Sequence, residues 1–205
     1  MCSSDLRVAS GDLCAINALE RHGFRVVTGE IAGVVRPTRE ITVHPAGLAI
    51  EPMAQEDVDA VVAIAGASHV HNRFAYDSRF GRAEVRHLYE DLIRRYAEDP
   101  DTMSLVARER DGTIRGFISS RLNRAISEAT GRSLASLDFI GVQPDARTRG
   151  IGDALNQHAL ARMRAQGVQA VTVRTLMNNF EALGVLRKLG MRVTSSNVVL
   201  HRWWE

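Results

Sequence analysis

Leu137-Asp138-Phe139-Ile140-Gly141-Val142-Gln143-Pro144-Asp145-Ala146-Arg147-Thr148-Arg149-Gly150-Ile151-Gly152 reads as an apolar strand, a turn opened by Pro144-Asp145, and a glycine-bearing loop entering a helix. A helix starting there leaves several backbone N–H groups without intrahelical acceptors, and its macrodipole favours negative charge. A phosphate or pyrophosphate is the expected guest. Gly150 and Gly152 let the main chain approach a ligand with no Cβ in the way, and Arg147 and Arg149 add charge-assisted contacts. The stretch lacks the third glycine of a dinucleotide fingerprint and the Gly-Lys-Ser/Thr of a Walker loop. An ordinary strand–loop–helix turn with two glycines fits the same residues, so its context decides.

On both sides of this stretch helices alternate with strands, which predicts an α/β (α+β) domain. Val58, Val61, Val62 and Ala65 share one helical face over Asp57–Ala67, and Val85, Leu88, Tyr89, Leu92, Ile93 and Tyr96 share another over Arg82–Ala97. Thr102–Glu109 and Thr113–Arg121 read as strands joined by the turn Asp111-Gly112. The polar segment Asn123–Arg132 precedes the strand Ser133–Val142. Downstream come the helix Gly152–Gln166, the strand Gln169–Thr175 and the helix Asn179–Leu189, which ends at Gly190. The last segment, Met191–Trp203, is expected to turn at Ser195-Ser196-Asn197 and return as an antiparallel pair.

An internal echo links the two ends. Asp12 to Val26 matches Asn179 to Val193 without gaps, placing Ala15, Leu19, Gly23, Arg25 and Val26 on Ala182, Leu186, Gly190, Arg192 and Val193. Residues 1–44 are therefore expected to form a small helix–strand–strand appendage mimicking the tail of a main domain that spans 45–205, with Pro37 and Pro45 bracketing the linker.

Composition sets the remaining bounds. A chain of 205 residues, 45% hydrophobic and 24% charged, is long enough for one good core. A formal charge of +2 argues against nucleic acid as a partner. No apolar run is long enough to span a bilayer, Met1–Ala9 has no signal-peptide pattern, and Cys2 and Cys14 make neither a disulfide framework nor a metal site. The expectation is a cytoplasmic protein without a metal. Lys188 is its only lysine, so arginine carries nearly all the basic charge.

Arg147-x-x-Gly150-x-Gly152 after an apolar strand, with Asn179 and Ala182 opening a helix that ends Leu189-Gly190-Met191, resembles the GNAT acetyltransferase superfamily over roughly residues 48–204. The resemblance implies the GNAT fold, a mixed and mostly antiparallel sheet splayed in the middle and flanked by helices. It further implies acetyl-CoA as cosubstrate, its pantetheine along Ile140, Gly141 and Val142 and its pyrophosphate on Arg147, Thr148, Arg149, Gly150, Ile151, Gly152 and Asp153. Asn179 would contact CoA from the far side. His71-Asn72-Arg73-Phe74-x-x-Asp77 and the ending Val199-Leu200-His201-Arg202-Trp203 look like the dTDP-fucosamine acetyltransferase group, which implies a nucleotide-linked amino sugar as acceptor. Arg73, Phe74 and Asp77 are then candidates for binding it.

Acetyl transfer to an amine needs a neutral amine, a donor for the developing oxyanion, alignment, and a proton for the departing thiolate. A backbone N–H near Ile140 is the expected oxyanion donor. Asp138 and His71 are candidate bases, although Asp138 could equally bond a neighbour as an ordinary strand residue. Most members of the resembled family carry a tyrosine on the helix after Asn179; here that position is Leu186, which has no proton to give. The competing expectations are a protein N-terminal or lysine acetyltransferase and a non-catalytic acyl-CoA binder. The expected partner is a small-molecule amine, with neither nucleic acid nor membrane, and a homodimer is compatible with the sequence.

Overall fold

A computed structural model describes residues 2–38, 40–68 and 72–204; the candidate base His71 lies outside them. Its strands form one eight-stranded sheet. The order is β1 (Cys2–Ala9), β8 (Arg192–Trp204), β2 (Arg25–Val35), β7 (Ala170–Leu176), β6 (Leu134–Val142), β5 (Ile114–Leu122), β4 (Thr102–Glu109) and β3 (Leu48–Pro52). Every neighbouring pair is antiparallel except β6 and β7. This is the mixed, mostly antiparallel sheet that the resemblance implies.

Strand alternation sends successive apolar residues to opposite faces, and each face is covered. On one, α2 (Val58–Ser68) and α3 (Arg82–Glu98) bring Val61, Ile64, Ala65 and Ile93 against Val106 and Phe117. On the other, α5 (Ile151–Ala165) sets Ile151, Leu155 and Ala159 against Leu105 and Ile118, and Leu160 and Met163 against Val35, Val171 and Val173. No helix among the described residues is long and apolar enough to cross a membrane.

Three local expectations are corrected. The N-terminal piece runs strand–helix–strand, β1 then α1 (Leu13–Arg21) then β2. The signal of β1 is short: only Leu6 and Val8 alternate with Asp5 and Arg7, whose charges are met by Arg73 and Glu30. Arg124–Thr130 forms the short helix α4, closed by Gly131 at φ +67, where a polar connection was expected. β8 does not turn at Ser195-Ser196-Asn197; it continues for 13 residues. The antiparallel partner expected from the C-terminus itself comes from β2, where Ala32, Ile31 and Glu30 stand opposite those three residues.

β2 therefore lies inside the sheet, between β7 and β8. The echo becomes a two-fold axis. β1-α1-β2 and β7-α6-β8, with α6 spanning Phe180–Lys188, are interleaved so that each unit's second strand fills the gap in the other. At the constant offset from Asp12 to Asn179, the pair Arg25↔His201 maps onto Val34↔Arg192, and Val26↔Leu200 onto Gly33↔Val193. Ala9↔Asn197 likewise maps onto Leu176↔Glu30, and Glu30↔Asn197 maps onto itself. Glu30 and Asn197 thus mark the axis. The register shifts also correspond, one passing over Val27 and the other over Thr194. Asp12 caps α1 by accepting from Ala15 N at 2.9 Å, and Asn179 caps α6 by accepting from Ala182 N at 3.2 Å.

Candidate active site

The site begins where β6 and β7 part. They pair from Leu134↔Ala170 to Leu137↔Val173 and then separate, while β6 stays bonded to β5 through Val142↔Gly116. Asp138 is the extra residue of a bulge, since Ser119 faces Phe139 and Ser120 faces Leu137. Beyond it the β7-facing edge of Ile140 to Val142 is free of strand pairing. Gly141 is required by crowding: a Cβ there would sit 2.7 Å from Phe117 and 3.3 Å from Ile64. Phe139 stacks on Tyr89 of α3 with ring centroids 5.3 Å apart, so one wall of the fork is aromatic.

β6 leads into the loop that starts α5. Gly150 caps that helix at φ +76, and Thr148 adopts φ +65 just before it. A threonine in the left-handed region costs on the order of 1–3 kcal/mol, and such strain is characteristically held at functional loops. The Thr148 hydroxyl donates to the Arg147 carbonyl at 2.6 Å, and Arg149 is anchored to Glu109 at 3.0 Å. Gly152 has open space where a Cβ would stand, its nearest neighbour there being Ile140 Cδ1 at 4.0 Å. Ile151 is buried beneath the loop and pins it to the core. The lone lysine has a definite place: Lys188 Nζ meets Asp153 Oδ2 at 2.9 Å, tying α6 to the first turn of α5 and neutralising a carboxylate that would otherwise repel an anion. Leu186 is buried in the cluster of Leu160, Met163 and Val173, so no side-chain acid stands at that helix position.

Residues 72–81, between α2 and α3, lie against β8 and β1 and reach the end of β7 at Asn178. Asp77 Oδ2 accepts from His201 Nδ1 and from Trp203 Nε1, each at 2.9 Å, and Asp77 Oδ1 accepts from Arg79 N at 3.1 Å. Burial pushes the Asp77 carboxyl up, but those three hydrogen bonds outweigh it and hold the group below its ordinary value. Phe74 and Phe80 pack around the His201 ring. Arg73 lies over Phe74 and forms an ion pair with Asp5 at 2.8 Å, and Asn178 donates to the Tyr76 hydroxyl at 3.0 Å. Of the two sequence segments singled out, residues 72–77 and 199–203 thus form one cluster on the sheet.

Asp138 is committed to neighbours. Its Oδ2 accepts from Tyr96 at 3.2 Å and faces Arg121 at 3.6 Å. Burial, and then the Asp138 charge, raise the Tyr96 hydroxyl far above its ordinary value, so it stays a donor. Sequence reasoning missed a second carboxylate. Glu30, 4% exposed, is held by Arg7 at 2.8 Å and Arg174 at 3.7 Å. Arg7 and Arg174 occupy equivalent positions in the two units, one on each side of the axis.

Two strands that part in mid-sheet, the inner one ending at a strained loop and a helix N-terminus, make a cleft that runs into the kind of helix start that suits an anion. The chain belongs to the acetyltransferase (GNAT) family, whose description matches residues 69–191. It is 28% identical over 156 residues to a mycothiol acetyltransferase of Propionibacterium freudenreichii, covering 75% of this chain and 46% of that relative. It is 27% identical over 196 residues to a dTDP-fucosamine acetyltransferase of Escherichia coli O6:H1, covering 96% of this chain and 80% of that relative. The chain spans about half the length of the mycothiol acetyltransferases it matches, 46% and 55% in two of them. Among solved structures, a GCN5-related N-acetyltransferase of Sphaerobacter thermophilus shares the fold, with TM-score 0.69, 20% identity, and coverage of 98% of this chain and 59% of that one.

Proposed function

We propose that this protein is an acetyl-CoA-dependent N-acetyltransferase that acts on the amine of a small polar molecule, a nucleotide-linked amino sugar before others. The observation that carries the reading is the fork, open beyond Leu137↔Val173 and continuous through Ile140–Val142 with the loop at Thr148 and Gly150. Pantetheine adds to the free edge of β6, and the pyrophosphate sits on the N–H groups that start α5, beside Arg147 and Arg149. The Ile140 N–H serves the carbonyl oxygen as it becomes anionic, the kind of donor whose removal costs on the order of 100- to 1,000-fold in rate. The fork supplies alignment, and no enzyme-bound acyl intermediate is needed.

A small acceptor is favoured because residues 72–81, which reach the open end of β7 at Asn178, are tied down at three places, Arg73–Asp5, Tyr76–Asn178 and Asp77 with His201 and Trp203. An extended protein substrate would need that side open. Arg73, Phe74 and Asp77 shape the acceptor side, with Asp77 setting the position of the segment. Because Leu186 is apolar and buried, the departing thiolate takes its proton from the attacking amine or from water. The same leucine is the one observation that favours a second reading, a CoA-binding protein without turnover.

The test is to incubate the protein with acetyl-CoA and a panel of nucleotide-linked amino sugars, deacetylated mycothiol, polyamines and short peptides. Products are read by mass spectrometry, since a thiol-bearing acceptor would itself consume a thiol reagent. Acetylation of an amino sugar nucleotide supports the reading. Acetyl-CoA binding without turnover of any amine would favour the second reading, and loss of acetyl-CoA binding would sink both.

A further inference from the structure

Glu30 has no place in the reading so far, yet its surroundings are unusual. It is a carboxylate almost removed from water, a costly position that persists only with paired charges. Its partners come from β1 and β7, the strands that the two-fold axis exchanges. Glu30 stands directly opposite Leu176, the last residue of β7, three residues past the point where β6 leaves. It is therefore one strand from the open arm, level with the free edge beyond the bulge.

Its side chain lies on the acceptor face. Arg174 alternates along β7 with Val171 and Val173, which pack against α5, so Arg174 and the Glu30 whose charge it faces lie on the face that carries α3. Tyr89 joins the two sides. Its ring stacks on Phe139 of β6, while burial pushes its hydroxyl up to about 12 and the charges of Arg73 and Glu30 both act on it. Tyr89 thus stands against β6 on the face that Glu30 shares.

The two arginines are not equal. Arg7 holds Glu30 at 2.8 Å and is 30% exposed in its side chain, whereas Arg174 stands at 3.7 Å and is 55% exposed. Resting on the reading above, we propose that Glu30 receives the acceptor's ammonium group, which displaces Arg174, and takes its first proton. The N-terminal unit thereby supplies a residue of the active site. Glu30 gains that proton and passes it to water. The neutral amine then attacks the thioester carbon, the C–S bond breaks as the tetrahedral intermediate collapses, and the second amine proton leaves with the thiolate as CoA thiol. Arg7 is a positioning residue that keeps the carboxylate aimed across β2.

The test compares Glu30→Gln and Glu30→Asp with the unchanged protein, using a dTDP-linked 4-amino sugar and deacetylated mycothiol as acceptors and titrating acetyl-CoA separately. Glu30→Gln is expected to lower kcat/KM on the order of 100-fold, with acetyl-CoA affinity unchanged. The deficit should shrink as pH is raised past the acceptor's own pKa, where the amine arrives neutral; a purely structural defect would not follow that profile. Glu30→Asp keeps the ion pairs but draws the carboxylate back, and should lose about 10-fold, mostly as a higher acceptor KM. Full activity of either folded variant, or a deficit independent of pH, overturns the proposal while leaving the functional reading intact. Failure of both variants to fold would assign Glu30 to stability and overturn it equally. Absence of turnover in the unchanged protein would remove the functional reading and this inference with it.

Discussion

The units β1-α1-β2 and β7-α6-β8 share strand register, bulge position and helix cap, yet only one of them borders a split in the sheet. The difference lies in the neighbour. β7 has β6 on its outer side, paired for four residues and then diverging, whereas β1 is the edge of the sheet. The same local structure therefore makes a site in one place and a plain edge in the other. What creates the candidate site is the partial pairing of β6 with β7, together with the loop that β6 feeds.

The largest expected effect breaks the site and spares its echo. Gly150→Val puts a β-branched residue at φ +76, with its Cβ 3.2 Å from Val43 Cγ1. Acetyl-CoA affinity should fall at least about 100-fold by calorimetry, while Gly23→Val, at φ +87 in the N-terminal unit, should cost stability and leave that affinity unchanged.

A smaller effect separates the two arginines. Arg7→Gln should lower kcat/KM about 10-fold by letting Glu30 move. Arg174→Gln should instead lower the acceptor KM, because it removes a competitor for the same carboxylate. Equal behaviour of the two variants would show that the axis is functionally symmetric after all.

Asp77→Asn should destabilise the fold by about 2 kcal/mol at neutral pH, read by urea denaturation, because His201 and Trp203 then face a neutral amide. The sign with pH follows from the lowered carboxyl of Asp77. Its contribution is complete above the unfolded carboxylate's pKa and is lost as pH falls through the lower folded value, so the two proteins should converge in acid.

The smallest effect returns to the echo. Asp12→Ala and Asn179→Ala should each cost about 1 kcal/mol as lost helix caps, but only Asn179→Ala should also weaken acetyl-CoA.

Much of this was legible in the chain because it depends on local pattern. The strand read at Ser133–Val142, the turn at Pro144-Asp145 and the glycines at 150 and 152 carry the proposed CoA side, and Asp12 to Val26 spells out the repeat. What stayed hidden depends on strand order. Arg7, Glu30 and Arg174 meet only because β2 enters between β7 and β8, which no periodicity reveals. Asp77 and His201 are 124 residues apart, and their contact was legible only as two separate likenesses. β8 was read as a hairpin because its polar centre looked like a turn; in the sheet those residues lie beside Glu30 on the axis.

Amide hydrogen–deuterium exchange with and without acetyl-CoA tests the central claim most directly, because it reads both units in one experiment. Protection is expected along Ile140–Val142, across Thr148–Asp153 and at Asn178–Asn179, with no change over the equivalent stretch Gly11–Asp12 or along β1. Protection appearing equally in both units, or absent from Ile140–Asp153, would contradict the assignment of the fork as the acetyl-CoA site.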